Sequence, residues 1–243
     1  MWRKKTVSVV LPTYREKYSI RQSIESFNES GFVDEIIVVD NNAEEGTEQE
    51  VKKTTARIIK EHKQGYGHAI RTGIKSSKGE LIIVAEPDGS FDGKDVVKLL
   101  AYSDDFEMVF GSRTHVRLIG KGSDMNLIKR YGDVLLGRLV TILFLGPPLT
   151  DLGCTLRITT RKAWRKIEEE CKAGDYMFAT EWVLVAAKNG IKFIEIPINF
   201  RGRVGKTTSA SNFLEKILFW GIGKFFYVWK VWLYARIGRK LYS

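Results

Sequence analysis

Short apolar runs and polar stretches of helical length alternate through residues 6–113. The runs TVSVVLP, EIIVVD, ARIIKE, ELIIVAEP and MVFGSR are rich in Val and Ile; YSIRQSIESFNES and GHAIRTGIKSSKG lie among the stretches between them. Strands this continuously apolar are buried on both faces, the condition of a parallel sheet covered by helices. The pattern predicts an α/β doubly wound half, with ligands bound beyond the carboxyl ends of its strands.

After residue 113 the pattern changes. Residues 114–150 start basic and Gly-rich, then become a long helical pattern that stops at Gly146-Pro147-Pro148. CTLRITTRKAWRKIEEE reads as a strand or turn leading into a helix, and YMFATEWVLVAAKNG as a helix stopped by Gly190. IKFIEIPINF reads as an edge strand, because Pro197 has no N–H to donate. RGRVGKTTSASN is a basic, polar loop. The tail interleaves Phe213, Phe219, Trp220, Phe225, Phe226, Tyr227, Trp229, Trp232, Tyr234 and Tyr242 with Lys216, Lys224, Lys230, Arg236, Arg239 and Lys240. Charges recur too often there for a spanning helix; amphipathic helices in a membrane interface are the expectation. Packing on the domain or on another subunit is the competing one. The chain thus divides into a domain over 1–210 and an amphipathic segment over 211–243.

Composition narrows the partners. Apolar residues at 44% and charged residues at 28% belong to a folded domain, not a disordered chain. Against 29 acidic residues stand 39 basic ones, and the formal charge of +10 favours anionic partners: nucleic acid, phosphorylated small molecules or an anionic membrane face. Cys154 and Cys171 form no CxxC pair, and His62, His68 and His115 lack zinc-type spacing, so a reduced cytoplasmic setting is expected. MWRKKTVSVV enters a strand pattern without the apolar core of a secretory signal, and no run of about 18 uncharged apolar residues is present.

The strand ends hold the candidate chemistry. Pro12, Tyr14 and Glu16 follow the first strand, Asp40, Asn41 and Asn42 the second, Glu86, Asp88 and Ser90 the fourth, and Arg113 the fifth. Acids at three ends that open on one crevice favour a binding site.

Seven segments occur in a telling order: VSVVLPTYRE, DEIIVVDNN with a following GT, QGYGHAIRTGI, GELIIVAEPDGSF, FGSR, DLGCTLR and EIPINFRGRVGKT. Over about residues 6–208 the chain resembles the inverting glycosyltransferases of family 2, especially the polyprenyl-phosphate group that makes dolichyl-phosphate sugars. The resemblance implies the GT-A fold, a Rossmann-like, mostly parallel sheet with helices on both faces. It implies transfer of a sugar from a GDP- or UDP-linked donor to a polyprenyl phosphate, by a protein peripheral to the cytosolic face of a membrane. A membrane-protein partner or a homo-oligomer belongs to the same expectation. By the match, Pro12, Tyr14 and Glu16 hold the base and ribose, and Asp40 contacts the nucleoside. Glu86 and Asp88, with Ser90 as third candidate, match the motif that binds Mg2+ or Mn2+ and the diphosphate. Arg113 and Arg130 resemble the residues that hold the acceptor phosphate, and Arg201, Arg203 and Lys206 those that close over the diphosphate. Two departures stand out: Asp40-Asn41-Asn42 replaces paired aspartates, and Glu86-Pro87-Asp88 replaces Asp-x-Asp. They leave base and sugar unassigned and point away from GDP-mannose.

Elementary chemistry runs parallel to these assignments. Hard cations bind carboxylate oxygens and neutralise a leaving diphosphate, and one or two protein carboxylates suffice. Asp88 is the first choice; Glu86 has a longer reach, and Pro87 biases it towards an extended conformation. A phosphate acceptor is already ionised and needs cations rather than a base, a task for arginine's planar fork. An alcohol or saccharide acceptor, the alternative, needs a base. Asp151 is the candidate for that role or for orienting Arg157 or the acceptor pocket, the second being favoured; Glu181 is the rival acid. The amides of GYGHA either meet a phosphate or ribose or form a tight turn. A dinucleotide-dependent oxidoreductase lacks its glycine fingerprint after the first strand, and no nucleic-acid-binding motif is present.

Overall fold

The structure, a computed structural model, describes residues 1–205, 221–238 and 241. Its strands are β1 (Val7–Thr13), β2 (Glu35–Asp40), β3 (Arg57–Lys60), β4 (Leu81–Val84), β5 (Met108–Ser112), β6 (Arg157–Thr160) and β7 (Phe193–Pro197). They form one sheet in the order β3-β2-β1-β4-β6-β5-β7. The five apolar runs before residue 113 are the first five strands, and β7 is, with β3, one of the two edge strands, paired with β5 alone among the described strands. β6 is the single antiparallel member among the described strands, wedged between β4 and β5.

Eight described α-helices cover the sheet: α1 (Ile20–Asn28), α2 (Thr47–Lys52), α3 (Tyr66–Ser76), α4 (Asp95–Tyr102), α5 (Leu127–Phe144), α6 (Arg161–Ile167), α7 (Met177–Lys188) and α8 (Gly223–Arg236). The period-2 alternation of the strands divides the core into two layers. Val7, Val9 and Leu11 of β1 face Ile20, Ile24 and Phe27 of α1 and Leu99 of α4. Val10 faces the other side, with Ile70 and Ile74 of α3 and Trp182 of α7. Each fully buried Val, Leu or Ile contributes roughly 1.5–3 kcal/mol, so the sheet's centre is its most strongly determined part.

α5 begins at Asn126, whose side chain accepts from Lys129 N (2.9 Å). It ends at Leu145, which takes a left-handed φ of 50° just before Gly146-Pro147-Pro148. The described part of the 211–243 segment packs on the domain. Val228 and Val231 of α8 share the cluster of Trp182 and Val140, and Trp232 Nε1 donates to Leu143 O at 2.9 Å. The other side of α8 leaves Phe225, Phe226, Leu233 and Ile237 exposed. Alongside, α5 exposes Leu127, Ile128, Tyr131, Leu135 and Ile142. No described helix is long and apolar enough to cross a membrane. Phe213, Lys216, Phe219, Trp220, Arg239, Lys240 and Tyr242 lie outside the described residues.

Candidate active site

A cleft of about 590 Å3 opens at the carboxyl edge of the sheet. Pro12 near the end of β1 and Tyr14 and Glu16 after it line the cleft, with Glu86, Asp88 and Ser90 after β4, Arg113 after β5, and Arg203 after β7. Topology brings these segments together. β1, β4, β5 and β7 all run one way, so the loops that leave them share an edge. β6 runs the opposite way, so the segment that enters it starts at that same edge and adds Gly153 and Thr155.

Three carboxylates and one arginine cluster in the lining. Asp88 is buried, and its Oδ1 accepts from Ser90 N (2.9 Å) and Ser90 Oγ (2.5 Å). Gly89 sits between them at φ 80°, a backbone region that favours glycine. Asp88 Oδ2 faces Arg203 Nε at 3.4 Å, and Arg203 Nη2 lies 3.3 Å from Glu16 Oε1. Two backbone bonds fasten the Arg203 loop to the motif, Arg201 N to Ser90 O (2.9 Å) and Val204 N to Asp88 O (2.7 Å). Glu86 is half-buried; burial first, and the charge of Asp88 second, push its pKa up to about 8. Glu16 bends back on its own turn, where Oε2 accepts from Tyr14 N (2.6 Å) and Arg15 N (2.8 Å).

The described residues contain no group of three or more His, Cys, Asp or Glu side chains that could hold a metal. The pair Glu86 and Asp88 nevertheless fits Mg2+ or Mn2+, because such ions complete their shell with substrate phosphates and water. Both residues line the cleft, Ser90 fixes the Asp88 carboxylate, and a bound cation would offset the burial and the Asp88 charge that push the Glu86 pKa up.

The lining also holds further cations. Arg113 forms a buried fork with Asp151, Nε to Oδ2 at 2.7 Å and Nη2 to Oδ1 at 2.8 Å. Asp151 also accepts from Arg113 N and Gly153 N, both at 3.0 Å. Burial alone raises an acid's pKa, but the charge and hydrogen bonds of Arg113 outweigh it and hold Asp151 below the usual carboxylate range. Asp151 therefore positions Arg113 and has no lone pair aimed at a substrate. Arg157 is held elsewhere, with its guanidinium 5.2 Å from the ring centres of both Phe110 and Trp182. Lys129, paired with Asp124 at 2.8 Å, and Lys224 of α8 complete the cationic lining.

Several expected residues are placed elsewhere. Asp40 does not line the cleft, and its Oδ1 accepts from Ala43 N at 2.7 Å. Arg130 is also outside, 5.0 Å over the ring of Tyr131; its chain neighbour Lys129 takes the inward place. Arg201 pairs with Asp92 outside the lining, and Lys206 lies beyond the described residues. Glu181 is interior, accepting from Ala173 N (2.7 Å) and the Tyr227 hydroxyl (2.5 Å). The Gly65 and Gly67 amides are bonded to Asn41 Oδ1 (2.7 Å) and Gly174 O (2.9 Å), so GYGHA is a turn fastened to its neighbours. Sequence reasoning missed Tyr66, Thr155 and Tyr176, and it assigned Lys224 to the lipid-facing tail. A signal for Lys224 existed: it precedes the buried Val228 and Val231 at i+4 and i+7, on one helical face.

A model of glycosyl transferase family 2 matches residues 8–167. The chain belongs to that family. The matched span runs from β1 through α6 and includes Glu86, Asp88, Arg113 and Asp151. An uncharacterized protein of Methanocaldococcus jannaschii is 31% identical over 202 residues, 80% of this chain and 81% of that one. A dolichyl-phosphate hexose transferase of Haloferax volcanii is 26% identical over 204 residues, 83% of this chain and 85% of that one. Among solved structures, glucosyl-3-phosphoglycerate synthase from Mycobacterium tuberculosis, in complex with Mn2+, UDP and phosphoglyceric acid, matches with a TM-score of 0.69. The match covers 97% of this chain and 80% of that chain at 17% identity, a likeness of fold. The protein is a family 2 glycosyltransferase with a GT-A fold.

Proposed function

We propose that the protein transfers a hexosyl group from a nucleoside-diphosphate sugar to a polyprenyl phosphate at the cytosolic surface of a membrane. The carrying observation is one cleft lined both by the carboxylates Glu86 and Asp88 and by the cations Arg113, Lys129 and Lys224. A donor diphosphate and an acceptor phosphate repel each other, and a cation held by the two acids would act with the three basic side chains to offset that repulsion. The similarity to a dolichyl-phosphate hexose transferase supports the same acceptor class.

In the proposed reaction an acceptor phosphate oxygen attacks the anomeric carbon. The bond from that carbon to the donor's β-phosphate oxygen breaks, and the nucleoside diphosphate leaves with the electron pair. A divalent cation, when bound, neutralises charge on the leaving diphosphate. Glu86 and Asp88 would hold that cation, and Ser90 keeps the Asp88 carboxylate in place. Pro12 and Tyr14 line the nucleoside end. Arg203 stands over Asp88 and Glu16 where the diphosphate arrives, with Lys206 proposed to join it. Arg113, held by Asp151, grips the acceptor phosphate. No proton need be removed from that acceptor, in keeping with two acids, Asp151 and Glu181, that are both otherwise engaged.

The outward apolar side of α5 and α8, bordered by exposed Arg138, Lys230 and Arg236, is the proposed lipid-facing surface. Labelled UDP- and GDP-sugars, offered with Mg2+ or Mn2+, test the acceptor class. With polyprenyl phosphate, label is expected in the lipid phase. Label passing instead to polyprenol, or to soluble phosphoglycerate, replaces the proposal with an alcohol or a soluble phosphorylated acceptor.

A further inference from the structure

We infer that Lys224, carried into the cleft by the C-terminal helix α8, binds the acceptor phosphate together with Arg113, in a cradle floored by Gly153. The inference rests on the acceptor proposed above. A Cβ built on Gly153 lies 3.2 Å from Arg113 Nη2 and 3.2 Å from Lys224 Nζ. Two cations from distant parts of the chain thus approach one point, with Asp151 Oδ1, the oxygen that holds Arg113 Nη2, 3.7 Å from it, and the absence of a side chain on Gly153 leaves space beside them. Lys224 is 8% exposed and lines the cleft, although its helical face is otherwise the buried face of Val228 and Val231. A lysine is costly in such a place, and packing alone does not call for one.

Three carboxylates lie around this point, Asp124, Asp133 and Asp151. Asp151 engages Nε and Nη2 of Arg113, which leaves Nη1 for a ligand. Asp124 pairs with Lys129. Asp133 of α5 lies near Lys224, Arg113 and Asp151, and its buried Oδ2 has no hydrogen-bond partner among the described residues. Burial first, and the charge of Asp151 second, push the Asp133 pKa up, which favours its neutral form beside an incoming anion. Burial pushes the Lys224 pKa down, with Asp133 and Asp151 opposing and Arg113 and Lys129 adding to the shift. A phosphate between Lys224 and Arg113 offsets the repulsion between them.

Equilibrium binding to the full chain tests the cradle, with farnesyl phosphate as the acceptor probe. The better bound of UDP and GDP, with Mn2+, is the donor-side probe. Lys224→Met is expected to weaken farnesyl phosphate binding roughly 10- to 100-fold, to leave nucleotide binding within about twofold, and to be largely rescued by Lys224→Arg. Gly153→Ala keeps every charge and fills the space, so a loss of at least about tenfold is expected there too. Unchanged farnesyl phosphate binding in Lys224→Met or in Gly153→Ala, or a parallel loss of nucleotide binding, overturns the inference but leaves the proposed acceptor standing. A wild-type protein that binds the nucleotide but not farnesyl phosphate sinks both.

Discussion

Glu86 and Asp88 are two acids separated by one proline, and their surroundings set them apart. Asp88 is tied down by Ser90, whereas Glu86 faces the cleft with its pKa pushed up to about 8. That value lies above the ordinary 4.5, so between about pH 4.5 and 8 the folded protein holds a proton that the unfolded chain has released. Stability is then lost as pH rises through this window. In the metal-free protein, the melting temperature is expected to fall from pH 5 to pH 8 more steeply than in Glu86→Gln. Equal slopes remove Glu86 as the titrating group. Asp88→Asn is expected to reduce metal-dependent transfer about a hundredfold or more while circular dichroism stays unchanged. Near-wild-type transfer in that variant rejects the metal assignment. Single residues were legible in the sequence where a strand end fixes them, as for Tyr14, Asp88 and Arg113. Arg130 was not: neighbours on a helix point about 100° apart, and only the docking of α5 decides that Lys129 faces the cleft. Asp40 sits at a strand end as expected, but its side chain caps the turn at Ala43.

At the scale of elements, the apolar runs identified the parallel strands because burial on both faces leaves little room for polar residues. β6 was ambiguous because RITT is short and has only one apolar residue. Its wedging between β4 and β5 is a long-range pairing that no local pattern reports, yet it delivers Gly153 and Thr155 to the cleft and Asp151 to Arg113. α8 illustrates the same limit. Its aromatics spread around the helix, so periodicity alone did not separate a packed side from an outward one. The packing on α5 and α7 has a testable consequence. Val231→Ala removes two buried carbons and is expected to cost about 2 kcal/mol, measured by urea unfolding. Because Lys224 rides on the same helix, the KM for the lipid acceptor is expected to rise while the KM for the donor holds. An equal rise in both KM values dissociates α8 from the acceptor end.

The whole molecule carries a formal charge of +10 and presents the exposed apolar residues of α5 and α8 beside Lys224's helix. Cleft and outward face are thus linked by one element, which suits an acceptor whose phosphate is in water and whose chain is in lipid. Replacing Phe225, Phe226 and Leu233 with Ser is expected to release the protein from vesicles containing anionic lipid, measured by flotation. Retained binding in that variant moves the lipid contact to another surface. The central claim concerns which bond is made, and the products of one reaction report it directly. With a competent nucleotide sugar, polyprenyl phosphate and Mn2+, mass spectrometry is predicted to find a nucleoside diphosphate and a lipid joined to the sugar through a single phosphate. A nucleoside monophosphate with a lipid diphosphate sugar, or label confined to water-soluble glycosides, contradicts the account.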